Sequence, residues 1–114
     1  MHELGIVIEV VNMVKKIAED EGIDKVDAIV LQIGELSPVV PRFIEECYPA
    51  AIDGSGMEDT KLIIETIPGN AKCSKCETIF NVVQREGYCP KCGSFDKDIL
   101  SGTEFFLKEI QVSE

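Results

Sequence analysis

Residues 73–92 read CSKCETIFNVVQREGYCPKC, two Cys-x-x-Cys pairs with twelve residues between them. A Cys-x-x-Cys step makes a tight knuckle that points two sulfurs at one centre, and two such knuckles at the ends of short strands complete a tetrahedron. Four soft thiolates with no open position suit Zn²⁺, at sulfur–metal distances of about 2.3 Å. Cys73, Cys76, Cys89 and Cys92 are therefore the candidate ligands of a structural zinc. Gly93 permits a left-handed turn after the second knuckle and Pro90 stiffens it, whereas Glu77 stands where the first knuckle would carry its glycine. The spacer is shorter than the commonest one, which predicts a compact ribbon. Four unrelated thiols would not pair twice at this spacing, and a redox dithiol needs one pair, not two competing for a metal. A closed tetrathiolate leaves no site for water, so the metal supports structure rather than chemistry.

Outward from this segment the pattern changes. On the amino-terminal side, Leu4, Val7, Val11, Val14 and Ala18 make one helical stripe, with charged residues from Lys15 to Glu21 and a possible cap at Gly22. Lys25 to Ile33 is a β-branched run ending at Gly34, hence a strand. Ser37-Pro38 and Pro41 favour a second helix start, and Val40, Phe43, Ile44, Cys47, Tyr48 and Ala51 recur at helical spacing; Pro49 is expected to distort its end. Cys47, alone on that apolar face, is expected to act as a small buried hydrophobe. Lys61 to Ile67 reads as a strand closed by Pro68-Gly69, and Thr103 to Val112 as a last strand able to pair with it. The expected fold is α+β: two helices packed on a small, mainly antiparallel three-stranded sheet, with an inserted zinc-ribbon domain. Residues 1–69 and 103–114 would form an α/β domain and residues 70–102 the ribbon.

Composition narrows the function. With 11 basic and 21 acidic residues the formal net charge is 11 − 21 = −10. Four thiolates on one Zn²⁺ would add −4 + 2 = −2 at that site. Phosphate-backbone binding needs clustered Lys and Arg, so a nucleic-acid partner is not expected. No run reaches the roughly 18 apolar residues of a membrane span, and the opening lacks the basic start of a signal peptide. A cytoplasmic protein without a membrane partner is expected, in which five cysteines point to metal rather than disulfides.

His2 is the single histidine of the chain. A free α-amine, deprotonatable peptide nitrogens and an imidazole within the first residues can converge on one metal, and nitrogens in a plane suit Ni²⁺ or Cu²⁺. The bulk of His2 discourages removal of the initiator methionine, so Met1 would supply the amine. Glu3 could orient the imidazole or donate an oxygen; its alternative role is a negative charge at a helix N-terminus.

Met1-His2-Glu3-Leu4 at the start, Ile33-Gly34-Glu35-Leu36-Ser37 after the first strand, and two Cys-x-x-Cys pairs followed by Gly93-Ser94 together resemble the HypA/HybF hydrogenase maturation nickel-insertion family. The resemblance covers essentially the whole chain. It implies a nickel metallochaperone that is not an enzyme, passing Ni(II) to the large-subunit precursor of [NiFe]-hydrogenase in concert with a HypB-type GTPase. It further implies transient nickel at Met1, His2 and Glu3, structural zinc at Cys73, Cys76, Cys89 and Cys92, and a monomer or homodimer. The chain departs from the family pattern at Glu104-Phe105-Phe106, where a Glu-Leu start is more usual.

The alternative is a zinc-ribbon protein-interaction module of an acidic cytosolic adaptor, which explains the cysteines but not His2 at the terminus. A hydrolytic or redox enzyme is excluded because one histidine and four committed cysteines leave no nucleophile-and-base pair.

Overall fold

The computed structural model describes residues 3–113, in the order α1 (Glu3–Glu21), β1 (Ala28–Gly34), α2 (Pro41–Ile52), β2 (Lys61–Ile67), β3 (Asn70–Cys73), β4 (Ile79–Asn81), β5 (Lys97–Ile99) and β6 (Phe105–Gln111). They fall into two compact units. One takes in the chain up to Gln32, Val39–Glu65 and the stretch from Phe106 onward; the other is Ile33–Pro38 with Thr66–Phe105.

In the first unit α1 packs on α2. Val7, Val10, Val11 and Val14 of α1 are buried, as are Ile44, Cys47, Tyr48 and Ile52 of α2. The expected α1 stripe is thus recovered at its centre, with Val10 added, while Leu4 and Ala18 are only half-buried. Cys47 is buried as expected. Pro41 opens α2, and Pro49 lies inside the helix, which continues to Ile52. Burial pushes the Tyr48 hydroxyl up to about 12, and it donates to the Thr60 carbonyl at 2.8 Å. Thr60, itself buried, donates to the Val26 carbonyl at 2.7 Å, so the polar groups taken into this core are paired.

The three-stranded sheet has the order β2-β1-β6. The expected pairing of the second and last strands is therefore corrected: β1 lies between them. Lys61 N donates to Asp27 O at one end of β1 and Glu35 N to Ile67 O at the other, so β1 and β2 run parallel, as a β–α–β connection through α2 requires. Asp27 N donates to Gln111 O and Gly34 N to Glu104 O, so β6 is antiparallel to β1. A central strand covered on both faces reads as a near-continuous apolar run, which is why Ala28–Leu31 is buried without alternation. The flanking strands β2 and β6 alternate toward solvent.

The second unit has its own sheet, in the order β4-β3-β5, with Ala71 opposite both Phe80 and Ile99. Its core is small: Ala71, Cys73, Phe80 and Cys89, with Cys76 and Val82 against them. No helix among the described residues is long and apolar enough to cross a membrane.

Candidate metal centre

The two knuckles are built alike. β3 delivers Cys73, whose N–H donates to the Thr78 carbonyl at 2.8 Å, while Glu77 N returns to the Cys73 carbonyl at 3.0 Å. In the second knuckle Cys89 N donates to the Ser94 carbonyl and Gly93 N to the Cys89 carbonyl, both at 2.9 Å. Gly93 has φ +76°, and Glu77, at the matching position, has φ +65°. The turn is thus identical in sense, but in the first knuckle a side chain bears the left-handed strain, of about 1–2 kcal/mol for an L residue. The sequence flagged the missing glycine; it did not show that the turn would form without one.

The four Sγ atoms all lie within 4.8 Å of one another. Cys73 and Cys92 are 3.5 Å apart, as are Cys76 and Cys89, so each close pair joins the two knuckles. A regular tetrahedron with arms of about 2.3 Å has edges of about 3.8 Å, so the spacing fits one ion at the centre. Cys73 and Cys89 are buried, Cys76 is half-buried and Cys92 exposed, which places the cluster at the surface of the small core.

The thiols do not share protons equally. The Thr78 hydroxyl and then the Thr78 amide hold Cys76 down to about 6. The Ser94 amide also holds Cys92 down, but the Cys73 sulfur, burial and the remaining sulfurs outweigh it and push Cys92 up to about 11. Four sulfurs this close cannot all carry charge without a cation between them, and a divalent ion would supply that cation. An ion held by all four sulfurs would have no open position for chemistry or for cargo.

Of the residues expected at the amino-terminal site, Met1 and His2 lie outside the described residues. Glu3 opens α1 and is the acidic residue of its first turn. The four cysteines are the one potential metal-binding group of His, Cys, Asp and Glu among the described residues.

The sequence also missed Glu35, an exposed residue of the Ile33–Ser37 motif. Its Oε1 accepts from Gly69 N and from Asn81 Nδ2, each at 2.9 Å. These donors, Gly69 first, hold its carboxyl below the usual range. Partners 34 and 46 residues away leave no local signal.

The family model described as "Hydrogenase/urease nickel incorporation, metallochaperone, hypA" matches residues 1–112. The chain is 38% identical over 112 residues to the hydrogenase maturation factor HypA of Geobacter sulfurreducens, covering 98% of this chain and 99% of the relative. It is 40% identical over 114 residues to the factor of the same name from Trichodesmium erythraeum, covering 100% of this chain and 97% of that one. The fold is similar to the solution structure of the Ni metallochaperone HypA from Helicobacter pylori, with TM-score 0.64, 23% identity and 97% of each chain covered. A second solution structure of a HypA protein gives TM-score 0.69 at 23% identity, covering 99% of this chain and 97% of that one. Matched from its first residue through both cysteine knuckles to its last strand, the chain belongs to the HypA family of hydrogenase/urease nickel-incorporation metallochaperones.

Proposed function

We propose that this protein is a nickel metallochaperone that delivers Ni(II) for the maturation of [NiFe]-hydrogenase. The observation that carries the reading is the family match over residues 1–112, which takes in the amino-terminal motif and both cysteine pairs together. The family description names hydrogenase and urease, and the relatives compared above are named as hydrogenase maturation factors, which favours hydrogenase as the destination. Cys73, Cys76, Cys89 and Cys92 hold a structural Zn²⁺, and a closed thiolate site has no room for a cargo ion. Nickel as cargo therefore needs other donors, and His2 is the single imidazole of the chain. Met1, His2 and Glu3 provide an amine, peptide nitrogens, an imidazole and a carboxylate in three consecutive residues. Residues 1–69 and 103–114 form the nickel-binding domain and residues 70–102 the zinc ribbon. The protein catalyses no reaction. It works in the cytoplasm as a monomer or homodimer, with a HypB-type GTPase and the hydrogenase large-subunit precursor as its partners.

The test is a nickel titration of the zinc-loaded native protein, His2→Ala and a variant extended by Gly-Ser before Met1, each at two pH values. Extension turns the amine into a neutral amide and displaces the chelate rings, so binding is lost in both variants with zinc content unchanged. The α-amine (pKa about 7.7–8.0) and imidazole (about 6.5) must lose protons to bind, so affinity falls as pH drops from about 8 to 6. Native-like affinity in the extended protein excludes the amine, and stoichiometric nickel independent of His2 overturns the site. Absence of stoichiometric nickel in the native protein would favour the ribbon as a protein-interaction module.

A further inference from the structure

The second unit begins and ends at one crowded crossing of three chain segments, at Gly34, Gly69 and Gly102. A Cβ on Gly34 would lie 2.0 Å from the Gly102 carbonyl oxygen; one on Gly69 would lie 2.4 Å from Leu36 Cγ; one on Gly102 would lie 2.4 Å from Gly69 Cα. Gly102 also has φ +101°. Side chains are excluded here, so backbones approach closely and the segments must be fixed by hydrogen bonds. Leu36 N donates to Gly102 O at 2.7 Å, Gly34 N to Glu104 O at 2.6 Å and Glu35 N to Ile67 O at 2.8 Å. The Ser101 hydroxyl donates to the Pro68 carbonyl at 2.7 Å, which joins the entering chain to the leaving one.

These bonds fix the two ends, and the chain returning from the first knuckle is paired with β3 in an antiparallel ladder, Asn81 opposite Asn70. The Glu35 side chain ties the root of that ladder to the Ile33–Ser37 segment. Its Oε1 receives Gly69 N, one residue before β3 starts toward Cys73, and Asn81 Nδ2, on the last residue of β4. Asn81 Oδ1 in turn accepts from Gln84 N at 2.9 Å, on the path to the second knuckle. Val82 N donates to Gly69 O at 2.8 Å and completes the crossing. An exposed glutamate is ordinarily a solvated charge. Here two donors converge on one of its oxygens, from residues distant in sequence.

We propose that Glu35 is the positioning residue of the metal unit: its carboxylate clamps together the strand that enters the first knuckle and the strand that leaves it. The clamp holds Cys73 and Cys76 in register with Cys89 and Cys92, and so sets how long the unit retains its metal. This inference rests on the reading that the four cysteines hold zinc.

The experiment uses the full zinc-loaded chain and four variants: Glu35→Ala, Glu35→Gln, Asn81→Asp, and the last two combined. Two quantities are followed, the rate of zinc transfer to a chelator and the exchange rate of the Gly69 amide proton. Glu35→Ala removes the acceptor, so Gly69 exchange and zinc transfer both rise, by roughly tenfold for the loss of one charge-assisted contact. Glu35→Gln keeps an oxygen for Gly69, whose exchange stays near native. Asn81→Asp sets two carboxylates against each other and accelerates zinc transfer. In the double variant a neutral amide replaces one of the two facing carboxylates and removes the like-charge repulsion, so zinc transfer slows again relative to Asn81→Asp; recovery is partial, because Gly69 and residue 81 meet at one oxygen of position 35. Residues that only fill space would show no such recovery on exchange of their groups. Native zinc transfer and Gly69 exchange in Glu35→Ala, or no recovery in the double variant, overturn the clamp. If the native chain carries no zinc on these cysteines, the zinc assignment fails instead. The Gly69 exchange rates of native chain, Glu35→Ala and Glu35→Gln then still decide whether Glu35 holds the root.

Discussion

The two units differ in what their interiors are made of. The first buries four valines of α1, four residues of α2 and the run Ala28–Leu31, all of which stay in place by leaving water. The second has four residues in its core, and two of them, Cys73 and Cys89, are candidate metal ligands. Burying an aliphatic side chain is worth about 1.5–3 kcal/mol, so the first unit accumulates stability residue by residue. Alanine and one phenylalanine cannot do this for the second, where metal–sulfur bonds would take over the role. Stability that is distributed degrades gradually; stability vested in one ion is lost all at once.

The strongest way to break the contrast is to remove the ion. Cys73→Ser, or a strong chelator, removes a contribution of about 10–16 kcal/mol at pH 7. Amide protection over β3, β4 and β5 is expected to vanish while Val7–Val14 in α1 stays protected. Simultaneous loss in both regions would make the chain one cooperative unit. Conversely, Leu31→Ala should cost about 2–5 kcal/mol in the first unit, read as a lower denaturation midpoint, with bound zinc unchanged. Zinc loss in that variant would end the distinction.

A smaller effect sharpens the comparison within the metal unit itself. Glu77→Gly removes the left-handed strain at φ +65° and is expected to stabilise the first knuckle by about 1 kcal/mol, measured as tighter zinc retention against a chelator. The exposed Lys72–Glu77 pair, 3.9 Å apart, offsets this gain only slightly. Gly93→Ala should act in the opposite direction.

The smallest effect belongs to the first unit. The Glu65 carboxyl is held below its usual value by Gln32 first and Lys108 second. A depressed carboxyl favours the folded state above its unfolded pKa, and that help disappears as pH falls through the folded pKa. Glu65→Gln should lower the first unit's stability slightly in the neutral region and leave it unchanged at the acid end, which flattens the acid limb. An unaltered acid limb would show that Lys108 and Glu65, 3.1 Å apart at the surface, contribute nothing.

What could be read from the sequence was what repeats locally. The helical period announced α1 and α2, and Pro41 marked a boundary that the structure keeps. The Lys61–Ile67 strand was legible to the residue because Pro68-Gly69 ends it. Strand order was not. The pairing of β1 with β2 depends on how the chain returns through α2, and nothing in Thr103–Val112 says which neighbour it will take. The uninterrupted run at Ala28–Leu31 did hold a clue, since a strand apolar on both faces belongs in the middle of a sheet. The four cysteines that the fold brings together were legible from spacing alone, whereas Glu35 was not, because a carboxylate shows no pattern until its distant partners are known.

The bond from the Ser101 hydroxyl to the Pro68 carbonyl has a consequence for how the chain is assembled. It brings the last residues before β6 back to where β2 ended. Along the chain, α1, β1, α2 and β2 come first, and β6 must find the free edge of β1 after the whole cysteine segment has gone by. A disordered loop of that length would charge the search with closure entropy, growing as about (3/2)RT ln n. Folded, the segment delivers both of its ends to one spot, so β6 starts its search close to where β2 ended. The same geometry makes the segment a cassette: a tight turn from Pro68 to Ser101 would span the gap and leave a single-sheet protein with its amino terminus intact.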